Sequence, residues 1–247
     1  MYFIFNFLRY LIFVLDFLLV TLVFFFLSFL PHVLTKTFFP DLYQIWSLRF
    51  FRIFSIREHI HEKYSKPLPK HYILISNHPS GIELLWLPSR FSTIPLAKDE
   101  IKKWLVVGRI TKASGAIFVK RRDRASRHAA SEALLQAANE GKNIMIFPEG
   151  GCYGKRVQPF FKGAFQLSIA TGLPIIPVFL HYEEENSYYW GDYGLIKFMI
   201  RALFIPKNRN AHLYIFDPFL PGDFKNEADM HQKVYEFFLE AERKYAL

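Results

Sequence analysis

The stretch YILISNHPSGIELLW, residues 72 to 86, decides what kind of sheet this chain builds. Tyr72 to Ser76 is apolar and β-prone without alternation, the pattern of a strand buried on both faces. It stops at Asn77-His78-Pro79, and a helical run, Gly81 to Trp86, follows at once. Ser80 to Glu83 has the form of a capping box, in which the serine and the glutamate satisfy each other's orphan amides at a helix start. The same acid, five positions after His78, also has the reach to orient and charge the imidazole as a general base.

Downstream the pattern repeats as short β-rich runs between helical ones. Strands are predicted at Thr93–Ala97, Ala116–Val119, Asn143–Phe147, Ile175–Leu180 and His212–Phe216. Further helices are predicted at Lys98–Val107, Ala125–Glu140, Gly163–Thr171 and Glu227–Tyr245. Interleaving of this kind predicts an α/β fold with a mostly parallel or mixed sheet flanked by helices. Functional residues then gather in the loops beyond the carboxyl ends of strands. His78 follows the first predicted strand, the cations Lys120, Arg121, Arg122 and Arg124 follow the third, and Glu149 follows the fourth. Pro177 removes a ladder hydrogen bond from the fifth, so irregular backbone is expected there.

Upstream the chain is of a different kind. Residues 10 to 30, YLIFVLDFLLVTLVFFFLSFL, match the length a bilayer-spanning helix needs, and Asp16 is their only charge. Asp16 shares a helical face with Arg9, which either pairs with it or snorkels to the interface. From Leu42, apolar residues interleave with Gln44, Arg49, Arg52 and Arg57, which reads as an amphipathic segment on the membrane surface or returning along the first helix. Those arginines predict a cytoplasmic body. Glu58-His59-Ile60-His61-Glu62 reads as a solvated hinge rather than a metal site. Residues 1–65 are therefore expected to anchor a domain of residues 66–247.

Composition narrows the function. Among 247 residues, 51% are hydrophobic and 28 are Phe, while the formal charge is +9. A basic body beside an apolar end fits a membrane surface, and no recognition motif supports nucleic-acid binding. The single cysteine, Cys152, excludes an internal disulfide and a cysteine-based metal site. Four cations in five residues at a helix start work against the helix dipole, which points to an anion site at Lys120 and Arg121. Phe147-Pro-Glu-Gly-Gly151 ends a strand in glycines that permit close ligand approach.

Four blocks in order, NHPSGIE, GAIFVKR, FPEG and LPIIPV, with KGAF before the last, resemble the glycerolipid acyltransferases of the lysophosphatidic acid acyltransferase (PlsC-like) family over residues 70 to 180. The resemblance implies a membrane-bound O-acyltransferase that moves a fatty acyl group from acyl-CoA or an acyl carrier protein to a lysolipid hydroxyl. His78 would be the general base and Glu83 its orienting acid. Arg121 and the Phe-Pro-Glu-Gly loop, with Lys120, Glu149 and Gly150, would position the acceptor's head group. Neither a metal nor a bound cofactor is required. Two positions depart from the family pattern: Glu83 stands for its aspartate, and Cys152 for an arginine that Lys155 and Arg156 are near enough to replace. Lyso-aminolipids join lysophospholipids as acceptors for that reason. Two other classes fit the same residues: an inactive lipid-binding relative, and a lipid hydrolase using Ser80 or Cys152.

Overall fold

The computed structural model describes residues 2–35, 37–154, 156–191 and 194–246. In chain order the helices are α1 (Tyr2–Leu27), α2 (His32–Thr35), α3 (Phe39–Ile53), α4 (Glu83–Trp86), α5 (Leu105–Ala113), α6 (Arg124–Asn139), α7 (Gly163–Thr171), α8 (Glu185–Tyr188), α9 (Leu195–Phe204) and α10 (Glu227–Tyr245). The strands are β1 (Arg57–Lys63), β2 (Ile73–Ser76), β3 (Ile94–Lys98), β4 (Ile117–Val119), β5 (Ile144–Ile146), β6 (Ile175–Tyr182) and β7 (Asn210–Phe216). They group into two compact units, Met1–Ile56 with Ile82–Lys120, and Arg57–Gly81 with Arg121–Leu247.

In the first unit α3 returns antiparallel along α1. Phe24 packs on Phe39 with ring centroids 5.0 Å apart, and the Trp46 indole N–H donates to Thr21 Oγ1 at 2.9 Å. Further along, Arg49 pairs with Asp16 at 3.0 Å. Asp16 thus takes its partner from the returning helix rather than from Arg9. Phe24, Phe39, Tyr43, Trp46 and Ile110 make the core of this unit. Arg109 of α5 closes the end of α1, donating to the Ser28 carbonyl at 3.1 Å with its guanidinium over the Phe29 ring, where a cation complements the helix dipole. The outer side of α1 stays apolar and exposed at Ile12, Leu15, Leu19, Leu22 and Phe26. Its segment Leu8–Leu27 is long and apolar enough to cross a membrane. The 15-residue α3, about 22 Å at a helical rise of 1.5 Å, is too short to do so, and takes the returning form. β3 and β4 pair in parallel in this unit.

The second unit is built on a mixed sheet. β2 lies between β5 and β6 and runs parallel to both. β7 pairs antiparallel with β6, and β1 pairs parallel with β7 at the edge. The uninterrupted apolar runs of β2, β5 and β6 are buried on both faces, as strands beneath covering helices must be. α6, α7 and α10 pack on β5, β2 and β6, with Phe238 of α10 against Phe160 and Phe179. Burying each such ring contributes about 1.5–3 kcal/mol. Pro177 does not interrupt β6. Ile175 exchanges backbone hydrogen bonds with Phe219, and the β7 ladder resumes at Val178–Ile215 with a one-residue register shift. The missing N–H of Pro177 falls in that gap.

The Glu58–Glu62 stretch is not a hinge. It is the body of β1, an edge strand whose exposed charged residues blunt further pairing, which is why its sequence looks solvated. Register sets its histidines beside β7. His59 and His61 stack on His212, and His212 lies 2.9 Å from Glu183 Oε1 through Nε2. Because the carboxylate only accepts, His212 donates from Nε2, and its Nδ1 accepts from His61 Nε2 at 3.0 Å. Burial, and then the charges of His212, Lys63 and His59, hold the His61 pKa below the usual imidazole range. Hydrogen bonds from His212, Asn208 and Asn210 lower that of Glu183 to about 2. Both groups bind protons less readily folded than unfolded, so stability is complete above the ordinary imidazole range. It is lost as pH falls, first through His61 and then towards about 2 through Glu183. Amide protection of Arg57–Lys63 in hydrogen exchange is therefore expected to fall on mild acidification, and pH-independent protection would contradict this.

Candidate active site

The sheet ends in a side chain that continues it. Asn77, the residue after β2, donates from Nδ2 to the Leu180 carbonyl at 2.9 Å and accepts the Leu180 N–H on Oδ1 at 2.7 Å. It pairs with β6 as one more strand residue would, and so fixes the backbone that presents His78. The His78 ring stacks on Phe147 at the end of β5, centroids 4.1 Å apart and 20° between planes. Its backbone N–H donates to Glu149 Oε1 at 2.7 Å, and Glu149 Oε2 accepts the N–H of Gln158 at 3.0 Å. Cys152 Sγ lies 3.1 Å from His78 Nε2 and 3.6 Å from Nδ1. Adjacent parallel strands thus bring the His78 and Glu149 loops together at one sheet edge.

Glu149 is buried rather than turned to solvent, and its two oxygens clamp the backbone of two loops. Hydrogen bonds to a carboxylate are each worth about 1.5–3 kcal/mol. The loop beyond it is held again where Glu242 of α10 accepts the Val157 N–H at 2.8 Å, and where Phe161 N donates to the Pro148 carbonyl at 2.8 Å. Gly150 sits at φ +74°, with its N–H on the Phe147 carbonyl. A Cβ there would meet Phe161 at 2.6 Å and approach the Arg121 guanidinium to 3.5 Å. Gly150→Ala is expected to cost about 1–2 kcal/mol in denaturant unfolding, because a left-handed backbone is strained for any residue with a Cβ. A neutral substitution would contradict that.

The other sequence-predicted residues are placed as follows. Arg121 belongs with this loop through Gly150, and its carbonyl accepts from Arg127 at 2.7 Å. Lys120 ends the first unit on an exposed position, and Arg122 and Arg124 are exposed. Asp123 caps α6, accepting the Ser126 N–H at 2.7 Å. Arg156 is exposed, with its carbonyl on the Gln158 side chain, and Lys155 lies outside the described residues. Glu83 is the first residue of α4 and is fully buried. α4 starts at Glu83 with Ile82 as its N-cap and no side-chain cap, because the chain bends through Ser80 and Gly81 first. A Cβ at Gly81 would stand 2.3 Å from the Trp190 ring, so that indole packs directly against the bend. The contacts of Asn77, Phe147, Gln158 and Trp190 are additions from the structure; Asn77 and Phe147 stand inside the NHPSGIE and FPEG blocks, whereas Gln158 and Trp190 carry no sequence signal.

A buried imidazole on a parallel-sheet edge, clamped by the glutamate of a Phe-Pro-Glu-Gly turn, defines a class. The family model named Acyltransferase matches residues 55–181, just over half of the chain, and the chain belongs to that family. It is 28% identical over 126 residues to the 1-acyl-sn-glycerol-3-phosphate acyltransferase of Neisseria gonorrhoeae, covering 49% of each. It is 25% identical over 177 residues to the lyso-ornithine lipid O-acyltransferase of Rhodobacter capsulatus, covering 67% of this chain and 63% of that one. The chain thus spans about half to two thirds of the length of these relatives. The crystal structure of the 1-acyl-sn-glycerophosphate (LPA) acyltransferase PlsC from Thermotoga maritima superposes with a TM-score of 0.66 over 96% of both chains at 21% identity, which establishes the fold.

Proposed function

We propose that this protein is a membrane-associated O-acyltransferase that moves a fatty acyl group from an acyl thioester to the free hydroxyl of a lysolipid. The observation that carries the reading is His78: a buried, backbone-fixed imidazole at the carboxyl edge of the sheet, inside the family's matched span. The imidazole takes the proton of the acceptor hydroxyl as that oxygen bonds to the thioester carbonyl carbon. The carbon–sulfur bond then breaks, and the thiolate leaves with the proton from the imidazolium. Glu83, five positions on, holds the second ring nitrogen and so sets tautomer and orientation. Its burial supports the role, since a carboxylate shielded from water needs a hydrogen-bonding or charged partner. Arg121, whose guanidinium lies beside Gly150, faces the acceptor's anionic head group, with Lys120, Lys155 and Arg156 as further cations of the loops. The apolar α1 holds the enzyme where both lipids reside, with the catalytic unit on the cytoplasmic side. Acyl-CoA and acyl carrier protein remain the two donor classes.

Mass spectrometry of the lipid formed from a long-chain acyl-CoA with lysophosphatidic acid or lyso-ornithine lipid tests this reading. A diacylated product from either acceptor supports it and names the acceptor. Failure with both acceptors and both donor classes overturns it.

One contact favours a second reading. Cys152 Sγ at 3.1 Å from His78 Nε2 is a thiol within reach of a base, an arrangement invisible over 74 residues of separation. A hydrolase built on that pair would form an acyl-cysteine and release fatty acid without any lysolipid. Free fatty acid as the main product, lost in Cys152→Ala, would establish it.

A further inference from the structure

One helix of the second unit presents an apolar face that nothing in the proposed chemistry uses. Ile196, Ile200 and Phe204 of α9 are 77%, 54% and 72% exposed. They recur every fourth residue, so they line one stripe of the helix. Phe198 and Ala202, on the opposite side, are buried. Lys197, exposed, falls at the border of the apolar stripe, while Arg201 lies further round and donates to the Asn186 carbonyl at 3.1 Å. Residues 195–209, LIKFMIRALFIPKNR, contain four cations and no acid. The ten-residue helix therefore has three sectors: a seat in the protein, an apolar crest and a cationic flank.

We propose that α9 is a membrane-docking helix, inserting Ile196, Ile200 and Phe204 among the acyl chains of an anionic bilayer while the exposed Lys197 meets its phosphates. An interfacial helix of this composition binds by buried apolar area together with attraction to anionic lipid. A chain of net charge +9 that also carries α1 already has the charge and the neighbourhood for such a surface. A second copy is a poor occupant. A twofold contact between two α9 helices would set cations against cations, with no acid in the segment to answer them.

The docking has a direct path to the active site. Phe198 packs on Trp190 at a centroid distance of 4.4 Å, and the Trp190 ring lies on Gly81, three residues after His78. α9 thus seats on the wall of the loop that carries the base. Anchoring it holds that loop against the layer where lysolipid hydroxyls lie, a role that rests on the function proposed above.

The test is photo-crosslinking of the full chain with p-benzoylphenylalanine in place of Ile200, reconstituted in vesicles of phosphatidylethanolamine and phosphatidylglycerol. A second variant carries it in place of Phe204. Both are expected to yield peptides bearing a lipid adduct, whereas the same residue in place of the exposed Leu135 of α6 is not. In vesicles of phosphatidylcholine alone the yield should fall at least about threefold, as lost electrostatic attraction requires. No adduct at either position, or a crosslinked dimer instead, overturns the proposal. An adduct of equal yield in both vesicle types overturns the role of the cationic flank. None of these readouts needs turnover, so a chain without acyltransferase activity leaves the result interpretable.

Discussion

His78→Ala is expected to lower acyl transfer by about a hundredfold to ten-thousandfold, the range that a positioned general base supplies. The fold should survive it. What the protein takes from position 78 structurally is the backbone N–H to Glu149, which alanine keeps, and a ring stacked on Phe147, which it loses. A few degrees in melting temperature is the expected structural cost, read by circular dichroism, against a nearly complete loss of product. A less than tenfold loss would remove the imidazole from the chemistry.

Glu149→Ala should be the most damaging substitution to stability, and it should lower activity as well. It orphans the buried N–H of His78 and that of Gln158 together, at roughly 1–3 kcal/mol for each unsatisfied donor, so a loss of about 2–6 kcal/mol is expected in denaturant unfolding. Activity measured where the variant remains folded should drop about a hundredfold as well, because a base displaced by an ångström is badly placed for proton transfer. Glu149→Gln keeps one acceptor but turns an amide N–H₂ toward a backbone N–H, so it should fall between the two. These outcomes separate a clamp from the head-group contact read from the sequence. A head-group contact would raise KM and leave unfolding unchanged.

What the sequence reveals here depends on how local the determinant is. β2, β6 and β7 emerge within two residues of expectation because short runs rich in β-branched and aromatic residues, bounded by turn signals, read as strand. The hairpin of α1 and α3 is legible for the same reason, from one run apolar all round and one amphipathic. β1 is not, because an exposed edge strand of Arg, Glu, His and Lys carries no hydrophobic signature and takes its structure from β7. α9 was not assigned, although its stripe has helical spacing, since an exposed apolar face contradicts the rule that apolar residues face inward. At the site, His78, Glu149 and Gly150 stand out locally. The contacts that define their roles join residues 71, 74 and 103 positions apart, from His78 to Glu149, from His78 to Cys152 and from Asn77 to Leu180. No window of sequence contains them. Sequence alone offers Glu149 as a substrate contact, and its clamp on the backbone of His78 and Gln158 emerges only in the fold.

Direct transfer from thioester to lysolipid hydroxyl is tested by the release of free thiol from a long-chain acyl-CoA with and without lysolipid. Thiol should appear with wild-type protein only when an acceptor is present, mole for mole with the new ester, and fall to background in His78→Ala. Thiol released at the same rate without acceptor, with free fatty acid as its counterpart, would contradict it.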